Sequence, residues 1–267
     1  MNLIDTHCHL DGFCQKNIID NILQRASNAE VTHLVTCGTE ESDWQVHAEL
    51  SSRYNNIDYT VGIHPTNVNN NFESSLEVMY RYLSNNKKKP VAIGEIGLDY
   101  FKISERTDDV DATIKLQKLV LEQQLLIAKT QGLPVIIHAR AAFADSVDII
   151  EKSGVDWHRV VFHCFSEGPA EIKKLNQRGG VGSITGTVTY KKADNVRESV
   201  IAQGLDKLMI ETDCPFLPPA PFQGKQNEPA YLREIAKFCA TILGTTEQEV
   251  CAVTTRNALA FFSIDIQ

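Results

Sequence analysis

A (β/α)8 TIM barrel, an α/β fold built as a single domain over residues 1–267, is what the sequence predicts. Three observations carry that expectation. Short runs rich in β-branched and aromatic residues alternate with longer amphipathic stretches, and eight such pairs fit into the chain. A length of 267 residues with 43% hydrophobic content supplies one sizeable core at a size that barrels routinely reach. No glycine fingerprint follows the first apolar run, which disfavours the alternative of an open doubly wound sheet.

In chain order, the strands are expected over 3–7, 32–37, 59–64, 91–97, 134–138, 160–163, 180–184 and 207–211. Helices are expected between them over 16–29, 41–53, 74–84, 113–131, 144–153, 169–178, 195–202 and 229–243. In the fourth helix Leu116, Leu119, Val120, Leu126 and Ile127 keep helical spacing, Gly132 suits a C-terminal cap, and Pro134 stops the helix. In the eighth, Leu232, Ile235, Ala236, Cys239 and Ile242 share one face and Gly244 ends it. Thr246 and Glu249 form a capping box that opens an additional C-terminal helix carrying Val250, Val253 and Phe261. These apolar stripes are read as core. Gly180, Gly182 and Gly186 mark a tight seventh strand and loop.

Net charge is -8 and the sequence pI is about 5.5. A protein that grips long duplex DNA through general surface charge is usually basic, so any nucleic-acid activity must rest on local contacts and bound cations. Seven cysteines without CxxC spacing argue for reduced thiols rather than a disulfide frame or a zinc knuckle. The N-terminal stretch has no basic-then-apolar pattern and no apolar run reaches the length of a membrane span, so a soluble cytoplasmic protein is expected.

The chemistry is expected at the ends of the strands. In an extended segment residues two apart share a face, so His7 and His9 project together and Cys8 is opposed. Two imidazoles on one rigid element make half of a metal site. Glu95 ends the fourth strand, His138 the fifth, His163 the sixth, and Asp213 follows the eighth. All C-terminal strand ends of a barrel open on one mouth. One such histidine is ordinarily a satisfied core residue; the coincident set is hard to explain as structure alone. Four histidines and two carboxylates suffice for two divalent ions, with Glu95 as the bridge and Asp213 as a ligand that also orients or deprotonates a water activated by the pair. No G-x-S-x-G elbow offers a protein nucleophile instead.

These residues lie in a series of motifs. They are Asp5-Thr6-His7-Cys8-His9-Leu10, Gly62-Ile63-His64-Pro65, Gly94-Glu95-Ile96-Gly97-Leu98-Asp99-Tyr100, Ile137-His138-Ala139-Arg140, His163-Cys164-Phe165-Ser166, Glu211-Thr212-Asp213-Cys214-Pro215 and Asn227-Glu228-Pro229. Through them the chain resembles, nearly end to end, the TatD-type metal-dependent deoxyribonucleases, a branch of the amidohydrolase-like barrels. The resemblance implies a TIM barrel with a two-metal site bound by His7, His9, Glu95, His138, His163 and Asp213. It implies nuclease activity, often 3′-to-5′ on DNA ends, supported by magnesium or another divalent ion. It also places His64 and Arg140 near substrate as phosphate contacts. The histidines favour a transition metal, so zinc, manganese and nickel stand beside magnesium.

Three places depart from the family pattern: Glu167 inserted in Ser166-Glu167-Gly168, Gln223 where many members carry arginine, and Ala141 where an acid often follows the arginine. They bear on substrate contacts rather than on the ligands. The same barrel and water also serve an amide or ester hydrolase, including a deacylase of charged tRNA, and a scaffold that kept the barrel is the non-enzymatic alternative. No membrane association and no obligate protein partner are expected.

Other polar residues are read without function: His33 and His47 as core or surface, His158 as a loop residue, and Cys8, Cys164 and Cys214 as packing residues pointing away from their neighbours, with a thiolate ligand the alternative if the strand ends curl. Lys87, Lys88 and Lys89 are read as a solvated loop, and Lys191, Lys192, Lys225 and Arg197 as candidate positive charge by the mouth.

Overall fold

A computed structural model gives the structure of the protein and describes residues 2–85 and 88–265. Eight strands pair in parallel in chain order: β1 (Leu3–Cys8), β2 (Val31–Thr36), β3 (Ile57–Val61), β4 (Ala92–Asp99), β5 (Val135–Arg140), β6 (Val160–Phe162), β7 (Val181–Ile184) and β8 (Met209–Ile210). The helices are α1 (Asp11–Gln15), α2 (Ile19–Asn28), α3 (Glu41–Arg53), α4 (Phe72–Asn85), α5 (Val110–Gln131), α6 (Phe143–Ser153), α7 (Pro169–Arg178), α8 (Asp194–Gln203), α9 (Leu232–Leu243) and α10 (Glu247–Phe262). Parallel strands need crossover connections, and the helices supply them. Among the described residues no helix is long and apolar enough to cross a membrane.

Side-chain hydrogen bonds help close the barrel between β8 and β1. The buried Asp5 carboxylate accepts from the Thr212 N–H at 2.8 Å and its hydroxyl at 2.5 Å. Thr6 Oγ1 donates to the Ile210 carbonyl at 3.1 Å. The Asp213 N–H donates to the His7 carbonyl at 2.9 Å and the His9 N–H to the Cys214 carbonyl at 2.8 Å. The bonds that shut the seam thus also set the segments that follow β1 and β8 side by side at the mouth. Beneath them lies an apolar layer. Ile136 and Val161 cluster with Val35, Ala92, Met209 and Phe262, and each precedes a histidine, His138 or His163, by two residues on the same strand face.

The structure alters several expected boundaries. The helix expected over 16–29 starts later, as α2, because Asn17 takes a left-handed φ of 53°, and the short α1 before it was not expected. Strand β6 ends one residue early: the His163 N–H still bonds Ile137 O at 3.0 Å, but Cys164 turns to φ 45°. Residues Leu205–Lys207 form a 3-10 turn, leaving β8 only two residues long.

The apolar stripe expected on α5 is also displaced. Leu119 and Leu126 are 42% and 54% exposed, whereas Gln117 and Gln124 are buried. The glutamines outrank the leucines for a physical reason: they satisfy strand ends that leave the sheet. Gln124 Oε1 accepts from the Ile63 N–H at 2.7 Å and its amide donates back to Ile63 O. Gln117 Oε1 accepts from the Asp99 N–H at 3.0 Å. The helix stops are as expected, with Gly132 and Gly244 each at φ 66° and Thr246 Oγ1 capping the Glu249 N–H.

Lys87 lies outside the described residues. Lys88 does not project into solvent: its ammonium lies 2.9 Å from Asp58 and 2.6 Å from the Ile57 carbonyl. His33 is core, its Nε2 2.7 Å from Asp58; His47 is buried with Nδ1 2.8 Å from Thr36 Oγ1; His158 meets Asp156 at the surface. The seven cysteines are free thiols.

Candidate metal centre

The expected ligands converge at the C-terminal mouth. Strand alternation brings His7 and His9 to one side with Nε2 atoms 3.2 Å apart, while Cys8 packs among Leu10, Phe13 and Cys214. Glu95 rises from β4 after a cis Gly94–Glu95 peptide. The backbone there is packed too closely for side chains: a Cβ on Gly62 would sit 2.5 Å from the Gly94 carbonyl carbon, and one on Gly97 (φ 148°) would overlap the His138 carbonyl.

Glu95 stands at the centre of two groups. Its Oε2 lies 3.3 Å from His7 Nε2 and 3.6 Å from His9 Nε2. Asp213 Oδ1 faces the same two nitrogens at 3.7 and 3.3 Å. Glu95 Oε1 faces away from them toward His163 Nε2 at 2.7 Å, His138 Nδ1 at 2.8 Å and His64 Nε2 at 3.3 Å. Two donor sets therefore share one carboxylate.

A further layer fixes the rings. His9 Nδ1 lies 3.1 Å from the Cys37 carbonyl, which turns Nε2 inward. Asp99 Oδ2 lies 3.2 Å from His138 Nε2, and Arg106 holds Asp99 Oδ1 at 2.9 Å. Glu211 accepts from the Cys164 N–H at 2.6 Å and from Ser183, and lies 3.4 Å from His163 Nδ1. Outer partners of this kind orient metal-binding imidazoles.

The electrostatics follow from packing acids and bases in one buried cup. Burial pushes Glu95 up, but His163, His64 and His7 outweigh it and hold the carboxyl well below its usual range. Burial likewise opposes ionisation of Asp213, and the bond from His9 with the charges of His163 and His7 overcomes it. Burial works against the protonated form of His9 too, yet Asp213 raises it to about 9. In His7 burial wins, aided by His163, and the ring is driven toward the neutral form. The carboxylates are thus charged and His7 is left with an unshared lone pair. Against burial, Asp213 and Glu95 favour the protonated forms of His9, His138 and His163, which must give up a proton to bind a cation.

The residues fit divalent ions. Among the described residues, groups of donors close enough to hold one include His7, His9 and Glu95; His64, Glu95 and His138; and His7, His163 and Glu211. Imidazole and carboxylate together suit zinc, manganese, nickel or magnesium. His7 Nδ1 is buried without a partner, a cost that a fixed ring with a committed Nε2 explains.

His64, expected as a phosphate contact, stands closer in than that: its ring is 4.4 Å from that of His138 and its Nε2 faces Glu95. Arg140 is at the rim, with its guanidinium 3.9 Å over the ring of Phe101. Among the described residues no carboxylate pairs with it. Both side a cleft of about 490 Å3 that also takes in Thr66, Asn67 and Phe216, a volume within the range of small-ligand sites.

Sequence reasoning assigned no role to Asp99, Arg106, Glu211 or Phe216. Strand alternation held the signal for two of them: Asp99 is four residues beyond Glu95 on β4, and Glu211 is two before Asp213. Cys164 corrects an expectation. Its segment is not extended, so the thiol lines the mouth, 3.4 Å from Thr185 Oγ1, with burial pushing it up to about 12. Arg197 is another correction: it is bound to the Val188 and Tyr190 carbonyls and to Asp194, holding a loop together rather than presenting charge.

Against known proteins, the family described as TatD related DNase matches residues 4–263. The chain belongs to the TatD family. Two relatives, both described as uncharacterized metal-dependent hydrolases, match it over nearly their whole lengths. YabD of Bacillus subtilis is 35% identical, covering 98% of this chain and all of the relative. YcfH of Escherichia coli K12 is 32% identical over 99% and 97%. The crystal structure of YJJV, a TatD homolog from Escherichia coli K12, superimposes with a TM-score of 0.89 at 29% identity, covering 98% of each chain. As a TatD-family barrel the protein is a metal-dependent hydrolase.

Proposed function

We propose that this TatD-family hydrolase cleaves phosphodiester bonds at single-stranded or frayed DNA ends, working from 3′ to 5′ with two divalent ions per subunit. One observation carries the reading: the two oxygens of Glu95 face separate donor sets, His7, His9 and Asp213 on one side and His138, His163 and His64 on the other. Bound there, a pair of divalent cations supplies an acidified water and neutralises charge on the attacked and departing oxygens.

The chain's own groups do the rest. Glu95 holds the halves of the centre in register. Asp213 is a ligand for one half and, fixed by its N–H bond to His7, accepts the proton of the attacking water. Arg140, unpaired with any carboxylate among the described residues, meets a phosphate oxygen of the substrate, and His64 completes the second donor set beside it. An acidic protein needs such local positive charge to hold a polyanion. The family's description as TatD related DNase supports the choice of substrate.

The test supplies magnesium, manganese, zinc and nickel in turn to protein incubated with end-labelled single-stranded DNA. Stepwise release of nucleotides from the 3′ end, stopped by a chelator, is the expected result. DNA left intact with every metal, alongside turnover of carboxylic esters, amides or aminoacyl-tRNA, would replace this reading with the acyl-hydrolase one.

A further inference from the structure

Phe216 is out of place by the ordinary logic of burial. Its side chain is 58% exposed, and the ring sits at the mouth with its centroid 6.0 Å from that of His9. The backbone that carries it is held firmly. Its N–H donates to Asp213 O at 3.0 Å, and its carbonyl accepts from the amide of the buried Asn227 at 2.5 Å. Asp213 and Leu217, on either side, take left-handed φ values of 54° and 51° that L-residues rarely adopt. The turn that carries a ligand of the centre thus also presents a bare phenyl ring in a fixed position.

The ring borders two lobes of the mouth. One is the cleft of about 490 Å3 beside His64 and Arg140. The other, about 410 Å3, is walled by Ala139, Cys164, Ser166, Thr187 and Leu217. His138, Arg140, His163 and Asp213 are common to both, so a phosphate at the donor sets has room on either side with Phe216 between. Aromatic side chains on which bases stack, next to a cationic group that tracks the backbone, are the recurring way to hold an unpaired nucleotide. A phenyl ring offers no hydrogen-bonding groups, so it does not choose between bases.

We propose that Phe216 is the stacking platform for the unpaired base adjoining the scissile phosphate, which makes nucleoside phosphates with an exposed base the substrate class of the mouth. The inference rests on the phosphodiesterase reading for its substrate, but its test does not require turnover.

The experiment measures binding of deoxyadenosine 5′-monophosphate and of deoxyribose 5-phosphate to metal-loaded protein by calorimetry. The wild type should bind the nucleotide about 5- to 150-fold more tightly, the range that one base–aromatic stack provides. Phe216→Leu should remove that preference while leaving deoxyribose 5-phosphate affinity and metal content unchanged, and Phe216→Tyr should keep it. Equal affinity of the wild type for both probes, no measurable binding of either, or a preference that survives in Phe216→Leu would overturn the proposal. If Phe216→Leu loses its metal, the wild-type comparison and Phe216→Tyr still decide. Tight, base-dependent binding without DNA cleavage would overturn the phosphodiesterase reading and leave this inference standing.

Discussion

Asp99 touches no expected ligand site of its own, yet it decides how His138 presents Nδ1. Its carboxylate lies 3.2 Å from Nε2 and is anchored in turn by Arg106. Replacing Asp99 with Asn should cost about 10- to 100-fold in metal affinity or activity, the usual penalty for losing an outer partner; titration of the metal-free protein with manganese checks it. Unchanged affinity would mean that His138 needs no such support. Asp213→Asn should be more severe, lowering turnover by about 10²- to 10⁴-fold as expected for a positioned proton acceptor, measured at saturating metal so that ligand loss is not the cause. At the rim, Phe101→Leu removes the ring beneath Arg140. Exposed cation–π contacts are worth about 0.5–1 kcal/mol, so KM should rise roughly two- to fivefold with kcat retained.

Among the elements, the short β8 bears more than its two residues imply. The seam to β1 depends on the Asp5 carboxylate and Thr212, both buried. Burial already drives the Asp5 carboxyl up to about 7. Thr212→Val deletes the hydroxyl and leaves part of that carboxylate unsatisfied, a loss of about 1–3 kcal/mol to be read as a lower urea midpoint. Strand order and the placement of His7, His9, Glu95, His138, His163 and Asp213 were legible in the sequence because both depend on local signals: β-branched runs, a period of two, and the rule that a barrel's strand ends share one mouth. What stayed hidden depends on tertiary partners. Gln117 and Gln124 look like surface residues until Asp99 and Ile63 need their amides. Cys164 looks opposed to His163 until φ turns positive. Arg197 looks like mouth charge until the carbonyls of Val188 and Tyr190 claim it.

Across the whole molecule, stabilising contacts also lie away from the mouth. Near the N-terminal ends of β2 and β3, His33, Asp58 and Lys88 form an ion group far along the strands from the mouth. Burial pushes Asp58 up, but the bonds from His33 and Lys88 outweigh it and hold the carboxyl below its usual range. A depressed folded value means the contribution is complete above the unfolded carboxylate pKa of about 4 and is lost as pH falls through the folded value. Asp58→Asn should therefore destabilise the protein at neutral pH by about 2 kcal/mol, less than for a fully buried pair because Lys88 is partly solvated. The gap to wild type should close as pH drops below about 4, with hydrolysis unaffected. The mouth carries the central claim, that Glu95 joins two ion sites. Anomalous diffraction from manganese-loaded crystals, with metal content measured on the same protein, tests it most directly. Two peaks are expected, one among His7, His9 and Asp213 and one among His138, His163 and His64, flanking the Glu95 carboxylate and reduced in Glu95→Gln. A single peak that leaves Glu95 uncoordinated, or occupancy unchanged in Glu95→Gln, would contradict it.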